Sequence, residues 1–214
     1  MGNQPFNFNG SSRYSTLVAG LRDCRKNTKR DPETGNINHA AKHGDIGNWL
    51  GTIGYFIVLD QIGSCFKKAV SVPKEPTYNK IKLAIEEFGF DLINNDINQL
   101  EALLALRNAF THDFNLLNIP SNPTHKDKSQ HKFTVTAELG NWIVRLPIER
   151  WNGIIESQDF NKITDITLVN LYGFGQLVET IYKRLCELYI SGKIEIRLSE
   201  QMLLNKYTFV VTNY

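Results

Sequence analysis

The chain has 214 residues and a mass of 24.4 kDa, and 42% of its residues are hydrophobic while 21% are charged. This composition supports a substantial core, and we expect residues 1–214 to form a single domain. The formal net charge of +2 is too small to indicate a nucleic-acid partner by itself. The cysteines, Cys24, Cys65 and Cys186, are odd in number and far apart, which argues against a disulfide framework and a cysteine-based zinc site.

The N-terminal region indicates a soluble, cytoplasmic protein that begins with a flexible tail. Residues 1–15 hold several Asn, Gly and Ser residues and contain no apolar run that fits a signal peptide. The most apolar window, residues 53–62, has about half the length needed to span a bilayer and contains Asp60. We therefore expect no membrane association.

A basic stretch follows the tail. Leu17, Val18 and Leu21 predict a short helix that runs into this stretch, and the letters DPETGN then indicate a turn. A solvated helix end is the favoured interpretation, and an RNA-facing phosphate surface is the alternative. The basic positions are Arg22, Arg25, Lys26, Lys29 and Arg30.

The apolar spacing between residues 45 and 68 predicts a long helix with Asp45 as its N-cap. Its glycines, at positions 44, 47, 51 and 54, fall on one side, which indicates a close neighbour: another helix or a partner subunit is favoured, and a ligand is the alternative. Just before it, His39 and His43 have the spacing of a zinc helix, but the glutamate of that motif is replaced by Ala40. We expect surface histidines there, and neither a metal site nor a cofactor.

Two further helices are predicted, over residues 78–88 and from Asp96 through the stretch LALRNAFTHDFNLL. The segment KFTVTAELGNWIVRLP then alternates around Gly140-Asn141 and predicts a β-hairpin over residues 132–147, with Val135 facing Leu146. A last helix is expected over residues 165–191, closed by Gly192, and short strands over residues 193–214. The fold class is therefore mainly α, a helical bundle with an inserted hairpin and short C-terminal strands.

The most informative residues lie late in the helix that begins at Asp96. Arg107 continues the apolar stripe of Leu100 and Leu104, so an always-charged guanidinium is expected on the buried side, where it needs an anion. His112 is five residues further, about 140° around an ideal helix. Asn108 is four residues before His112 and shares its face, so its amide is placed to orient the imidazole.

The string Arg107-Asn108-Ala109-Phe110-Thr111-His112 resembles the Arg-x4-6-His signature of the HEPN (higher eukaryotes and prokaryotes nucleotide-binding) superfamily. Long helices before and after the string match the family's helical bundle, which covers about two-thirds of the chain. The resemblance implies a homodimer with facing motifs and, in active members, a metal-independent endoribonuclease. His112 is then the general acid or base, Arg107 binds the scissile phosphate, and Asn108 positions His112 or contacts the phosphate.

Two other functions compete with RNA cleavage. The first is a HEPN-like module that binds RNA or a partner protein without cleaving, or one half of a toxin-antitoxin or phage-defence pair; the modest net charge favours it. The second is purely structural, with Arg107 paired to a carboxylate and His112 near a helix C-terminus. Asp45, Glu86 and Asp113 are the carboxylates expected within reach of Arg107 in that case.

Overall fold

A computed structural model describes residues 13–38, 49–70, 79–113, 115–120, 130–154 and 163–210. These residues form the α-helices α1 (Thr16–Asn27), α2 (Trp49–Cys65), α3 (Lys80–Phe88), α4 (Ile97–Asn108), α5 (Leu171–Ile190) and α6 (Glu200–Tyr207). They also form the strands β1 (Arg13–Ser15), β2 (Phe66–Lys68), β3 (Leu117–Asn118), β4 (His131–Thr136), β5 (Val144–Arg145), β6 (Ile166–Asn170), β7 (Ile194–Ile196) and β8 (Thr208–Val210). A 3-10 turn, Phe90–Ile93, precedes α4, and a π turn, Ala109–Asp113, follows it.

The helices make most of the core, and three small sheets surround them, so the fold is mixed α/β. The prediction of a helix-rich fold is confirmed in this coarser form. The finer class, mainly α, is not plainly met, because the strands do more than decorate a bundle: β6 runs directly into α5 and places its N-terminus. The rings of Phe56 in α2 and Phe174 in α5, 4.4 Å apart, mark the centre of the core.

Helix α2 packs between α1 and α3, and its glycines permit the close approach. A methyl group on Gly51 would lie 2.5 Å from Cγ2 of Thr28, and one on Gly54 would lie 2.5 Å from Sγ of Cys24. Of the neighbours predicted from the glycine spacing, another helix is the one that lies beside Gly51 and Gly54. The other two glycines, Gly44 and Gly47, lie outside the described residues, as does the expected N-cap Asp45.

The ends of several predicted helices differ from the observed ones. α2 ends at Cys65 because Phe66–Lys68 leaves the helix to pair with Ile194–Ile196 in an antiparallel sheet. α3 begins after Asn79, whose side chain caps it by accepting a hydrogen bond of 3.0 Å from the Ile81 amide. The side chain of Asp96 caps α4 in the same way.

The predicted β-hairpin over residues 132–147 is wrong. β6 lies between its two arms, parallel to β4 and antiparallel to β5, in the order β3-β4-β6-β5. Asn170 explains the separation, because its buried amide donates to the carbonyl oxygens of Glu138 at 2.9 Å and Trp142 at 3.2 Å. The backbone between β4 and β5 therefore wraps around the start of α5 and does not close a tight turn.

The last long helix begins at Leu171 and not at Asp165. Residues Ile166–Asn170 form β6, where Thr167 and Val169 are fully buried with the alternation of a strand. The predicted C-terminal cap is confirmed, since Gly192 follows the helix with a left-handed φ of 69°.

The ends of the described chain meet in a small sheet. The strands expected over residues 193–214 are present as β7 and β8, but α6 separates them and each pairs elsewhere in the chain. β8 pairs with β1, so Arg13–Ser15 is a strand and not part of a flexible tail. Residues 1–12 lie outside the described residues.

Gly63 is the position at which α2 comes closest to the backbone of α3. A Cβ there would collide with the carbonyl oxygen of Lys80 and lie 3.1 Å from the Ala84 amide nitrogen. We expect Gly63→Ala to lower the free energy of unfolding by about 1–3 kcal/mol, measured by urea denaturation. The matched control is Gly20→Ala in α1, where the added methyl meets no atom within 4 Å; it should stabilise the protein by about 0.5–1 kcal/mol. Equal effects of the two changes would contradict the described packing of α2 on α3.

Candidate functional site

Helix α4 carries the predicted motif and is buried on most sides. Leu100, Leu103 and Leu106 are completely inaccessible to solvent, and Glu101 forms an ion pair of 2.7 Å with Lys82 of α3. The helix is therefore fixed by both apolar packing and an interhelical ion pair. After the buried residues 102–106, the last residues of the helix, Arg107 and Asn108, emerge from the core.

Arg107 is half-buried, so its predicted place on the buried side is met only in part. The helix ends one residue later, which lets the long side chain reach the surface while Leu106 occupies the core. The guanidinium Nη1 donates a hydrogen bond of 3.2 Å to Oδ1 of Asn108. In the described part of the chain, Arg107 forms no ion pair with a carboxylate.

This arrangement bears on the structural interpretation of Arg107, which required a paired carboxylate. Of the residues named for that role, Asp45 and the side chain of Asp113 lie outside the described residues. Glu86 lies on α3 and forms no ion pair with Arg107. Among the described residues, the guanidinium is thus hydrogen-bonded to a neutral amide, and its charge acts on the carboxyl of Asp60.

The π turn Ala109–Asp113 changes the angular relation within the motif. A π turn is closed by i→i+5 hydrogen bonds and holds more residues than an α-turn. The backbone position of His112, five residues after Arg107, therefore lies nearer to the face of Arg107 than the α-helical value of about 140° places it. The side chain of His112 lies outside the described residues.

Two contacts hold the π turn in place. Phe110 is fully buried and its ring stacks on Trp49 of α2, with 4.4 Å between the ring centroids. The Thr111 hydroxyl donates a hydrogen bond of 2.8 Å to the carbonyl oxygen of Arg107. The backbone that carries the motif is thus attached to α2 and to the end of α4. π turns of this kind occur often at functional sites.

Asp60 of α2 is a residue near the motif that the sequence interpretation missed. The surrounding protein desolvates its carboxyl and raises its pKa, while the positive charges of Arg107 and Lys80 act in the opposite direction. Asp60 is exposed to solvent in spite of this partial desolvation. The sequence feature that could have identified Asp60 is its position as the one charged residue in the apolar window 53–62.

We expect Asp60→Asn to stabilise the protein increasingly as pH rises. A raised pKa means that the folded state binds the Asp60 proton more tightly than the unfolded chain does, so ionisation costs stability above the ordinary pKa. The melting temperature of the variant should therefore exceed that of the parent at pH 7 and approach it at pH 3. Asp91→Asn is the control. Its melting temperature should fall below that of the parent at pH 7, because the hydrogen bond from Arg184 lowers the Asp91 pKa. If the melting temperatures of Asp60→Asn and the parent differed by the same amount at every pH, the raised pKa of Asp60 would be contradicted.

Two of the five cations of the basic stretch lie inside the protein. Arg25 and Arg30 are buried, which corrects the interpretation of a solvated helix end for these two residues. Arg25 forms an ion pair of 2.8 Å with Glu179 of α5, and Arg30 donates to the Gly35 carbonyl at 3.1 Å and to Gln176. Of the rest, Arg22 pairs with Glu33, Lys26 lies 3.9 Å from Asp23, and Lys29 is exposed.

The buried thiols are poorly suited to chemistry. Cys24, Cys65 and Cys186 are unpaired, as predicted. Burial raises the pKa of Cys24 and of Cys65 to about 12, so their thiolate forms are scarce near neutral pH. Within the described ranges, no cluster of three His, Cys, Asp or Glu residues could hold a metal ion. The predicted histidine pair, His39 and His43, lies outside those ranges.

None of the helices in the described residues has both the length and the apolarity required to cross a membrane. Comparison of the chain with protein-family models, with curated proteins and with solved structures gave no match.

Proposed function

We propose that the protein is a metal-independent endoribonuclease of the HEPN type that acts in the cytoplasm. One observation carries the proposal: Arg107 emerges from the core helix with no carboxylate partner among the described residues, immediately before the π turn that holds position 112. A solvent-accessible cation on a rigid helix end, followed by a histidine on a constrained turn, suits phosphodiester chemistry.

In the proposed reaction, the 2′-hydroxyl of the substrate ribose attacks the adjacent phosphorus and the 5′-oxygen leaves. His112 transfers a proton, as the base that accepts it from the 2′-hydroxyl or the acid that donates it to the leaving oxygen. Arg107 binds the phosphate oxygens and stabilises the charge that develops on them. The products are a 2′,3′-cyclic phosphate and a 5′-hydroxyl.

Asn108 has a further role in this proposal beside those expected. Its amide oxygen accepts a hydrogen bond from Arg107, so Asn108 orients the guanidinium. Positioning His112 and contacting the phosphate stay its other proposed roles.

A homodimer is part of the proposal. Leu50 and Ile57 are seven residues apart on α2, and both are more than half exposed, at 62% and 61%. They form an apolar stripe on the helix that also carries Asp60 and the stacking partner of Phe110. A second copy seated on this stripe about a twofold axis would bring two motifs together across one cleft.

The test is incubation of mixed RNA with the protein in EDTA, followed by analysis of the product ends. We expect fragments that carry 2′,3′-cyclic phosphate and 5′-hydroxyl ends at the same rate with and without EDTA. Products with 5′-phosphate ends, or cleavage that requires added metal, would contradict the mechanism.

The second candidate is a HEPN-like module that binds RNA or a partner protein without cleaving, as in one half of a toxin-antitoxin or phage-defence pair. The observation in its favour is the internal use of Arg25 and Arg30, which leaves a weaker basic surface for long RNA. Retention of RNA on the protein without any cleaved product would favour this candidate over the nuclease.

A further inference from the structure

A cavity of about 630 Å³ lies between helix α5 and the loop that follows α1. One wall is the face of α5 that carries Gln176, Thr180 and Lys183, which follow one another at intervals of one helical turn. The other wall is the loop 33–37. The volume lies within the range typical of small-molecule sites. Arg107 does not line this cavity, so the cavity is separate from the proposed nuclease motif.

The protein beneath the cavity buries more positive charge than negative charge. Arg25 and Arg30 are 6% and 4% exposed, whereas Glu179 is the one buried carboxylate among the described lining residues. Both oxygens of Glu179 accept hydrogen bonds from Arg25, and Oε1 also accepts one from the Tyr55 hydroxyl. Glu179 therefore neutralises Arg25, and the charge of Arg30 is left over.

Arg30 is hydrogen-bonded to neutral groups. Its Nη1 donates to the Gly35 carbonyl at 3.1 Å and to Oε1 of Gln176 at 3.2 Å, and its Nη2 donates to the Tyr172 carbonyl at 3.4 Å. In the part of the chain that the structure describes, no carboxylate forms an ion pair with Arg30. The neighbouring Asp31 is exposed, and its Oδ1 accepts hydrogen bonds within its own turn. Because a buried arginine keeps its charge, a nearby anion would stabilise it.

Gln176 connects Arg30 to the cavity. A guanidinium has only donors, so the hydrogen bond from Arg30 identifies Oε1 as the amide atom that faces inward. The two N–H groups of Nε2 then point away from Arg30, on an exposed residue that lines the cavity. Among the described residues, Nε2 of Gln176 donates to no acceptor. These N–H groups are therefore available to a ligand, and the guanidinium behind them polarises the amide.

Lys183 adds an exposed cation to the same wall. Its side chain forms neither an ion pair nor a hydrogen bond with the residues that the structure describes. The acidic residue at the rim, Glu33, is ion-paired with Arg22 at 2.7 Å. Once the ion pairs are set aside, the charges of Lys183 and Arg30 remain, and both are positive. A cleft with charges of one sign concentrates ions of the opposite sign.

We propose that this cavity binds a terminal phosphate group, the phosphomonoester of a small metabolite or of an RNA 5′ end. A phosphomonoester carries a charge of about −1.5 to −2 near neutral pH and offers three acceptor oxygens, which matches two cations and the free amide donors. A carboxylate brings a single charge and two oxygens, so it should bind more weakly. A phosphodiester within an RNA chain also carries only one charge.

The experiment is calorimetric titration of the full chain with inorganic phosphate and with acetate at constant ionic strength. We expect phosphate to bind at least about tenfold more tightly than acetate. Two further titrants separate the sources of the phosphate group: glucose 6-phosphate, and 2′-O-methyl oligouridine with and without a 5′-phosphate. Tighter binding of glucose 6-phosphate identifies a metabolite, and tighter binding of the 5′-phosphorylated oligomer identifies an RNA end.

Gln176→Glu is the most discriminating variant. The introduced carboxylate gives Arg30 an anion in place of the amide oxygen, and it adds a negative charge to the cavity wall. We expect this variant to melt at a higher temperature than the parent and to bind phosphate at least about tenfold more weakly. Lys183→Ala should weaken phosphate binding to a similar extent without raising the melting temperature.

The matched control is Arg184→Ala, which removes a cation of the same helix that does not line the cavity. It should bind phosphate as the parent does. Circular dichroism checks that each variant is folded, and the exposed positions of Gln176 and Lys183 favour this. Absence of phosphate binding, equal binding of phosphate and acetate, or parent-like phosphate binding by folded Gln176→Glu would overturn the proposal.

Discussion

Glu179→Ala is expected to lower the free energy of unfolding by about 3–5 kcal/mol, because it leaves a buried guanidinium without its anion. The side chains of Arg25 and Glu179 are 8% and 9% exposed and form an ion pair of 2.8 Å between α1 and α5. The Tyr55 hydroxyl donates a further hydrogen bond of 3.0 Å to Oε1 of Glu179. One carboxylate therefore satisfies donors from two helices at once.

Urea denaturation at pH 7 measures this cost. The control is Asp91→Ala, which breaks an ion pair to Arg184 on a more exposed surface and should cost about 0–1 kcal/mol. The double variant Arg25→Met with Glu179→Leu should recover most of the lost stability, since apolar side chains need no charge partner. A loss below about 1 kcal/mol for Glu179→Ala would show that the pair is not buried as described.

Arg107→Ala is expected to lower the rate of RNA cleavage by about 10²–10³-fold, since it removes the cation that stabilises the phosphate in the transition state. The fold should be unaffected, because Arg107 is half-buried and its described side-chain hydrogen bond goes to the neighbouring Asn108. Arg107→Lys should recover only part of the rate, because an ammonium cannot bind two phosphate oxygens in a fixed plane.

Single-turnover cleavage of a labelled RNA, alongside melting curves, separates these effects. Arg184→Ala removes an arginine elsewhere on the protein and should cleave at the parent rate. Parent-like cleavage by a folded Arg107→Ala variant would assign the activity to other residues.

The helices were predictable because their apolar spacing and caps are local. Asp96 and Asn79 cap helices that the periodicity already indicates, and Gly192 ends α5 as expected. The sheet was not predictable by the same reasoning, because its pairing depends on long-range contacts. Asn170 separates β4 from β5 through hydrogen bonds to residues about thirty positions earlier in the chain, and no local pattern encodes that.

The candidate site, like the fold, could be predicted from the sequence only in part. Arg107 could be singled out as a charge among leucines, but its exposure depends on where α4 ends. The π turn could not be read from the spacing, which is compatible with an ordinary helix through His112. Arg25 and Arg30 appeared as a surface cluster because their partners, Glu179 and Gln176, are far away in sequence.

The most direct test of the proposed function is the cleavage of RNA in EDTA by His112→Ala, compared with the parent protein at equal oligomeric state. Loss of the proton-transferring imidazole should reduce the rate by about 10²–10⁴-fold while the melting temperature stays near that of the parent. A folded His112→Ala variant that cleaves RNA at the parent rate would contradict the account.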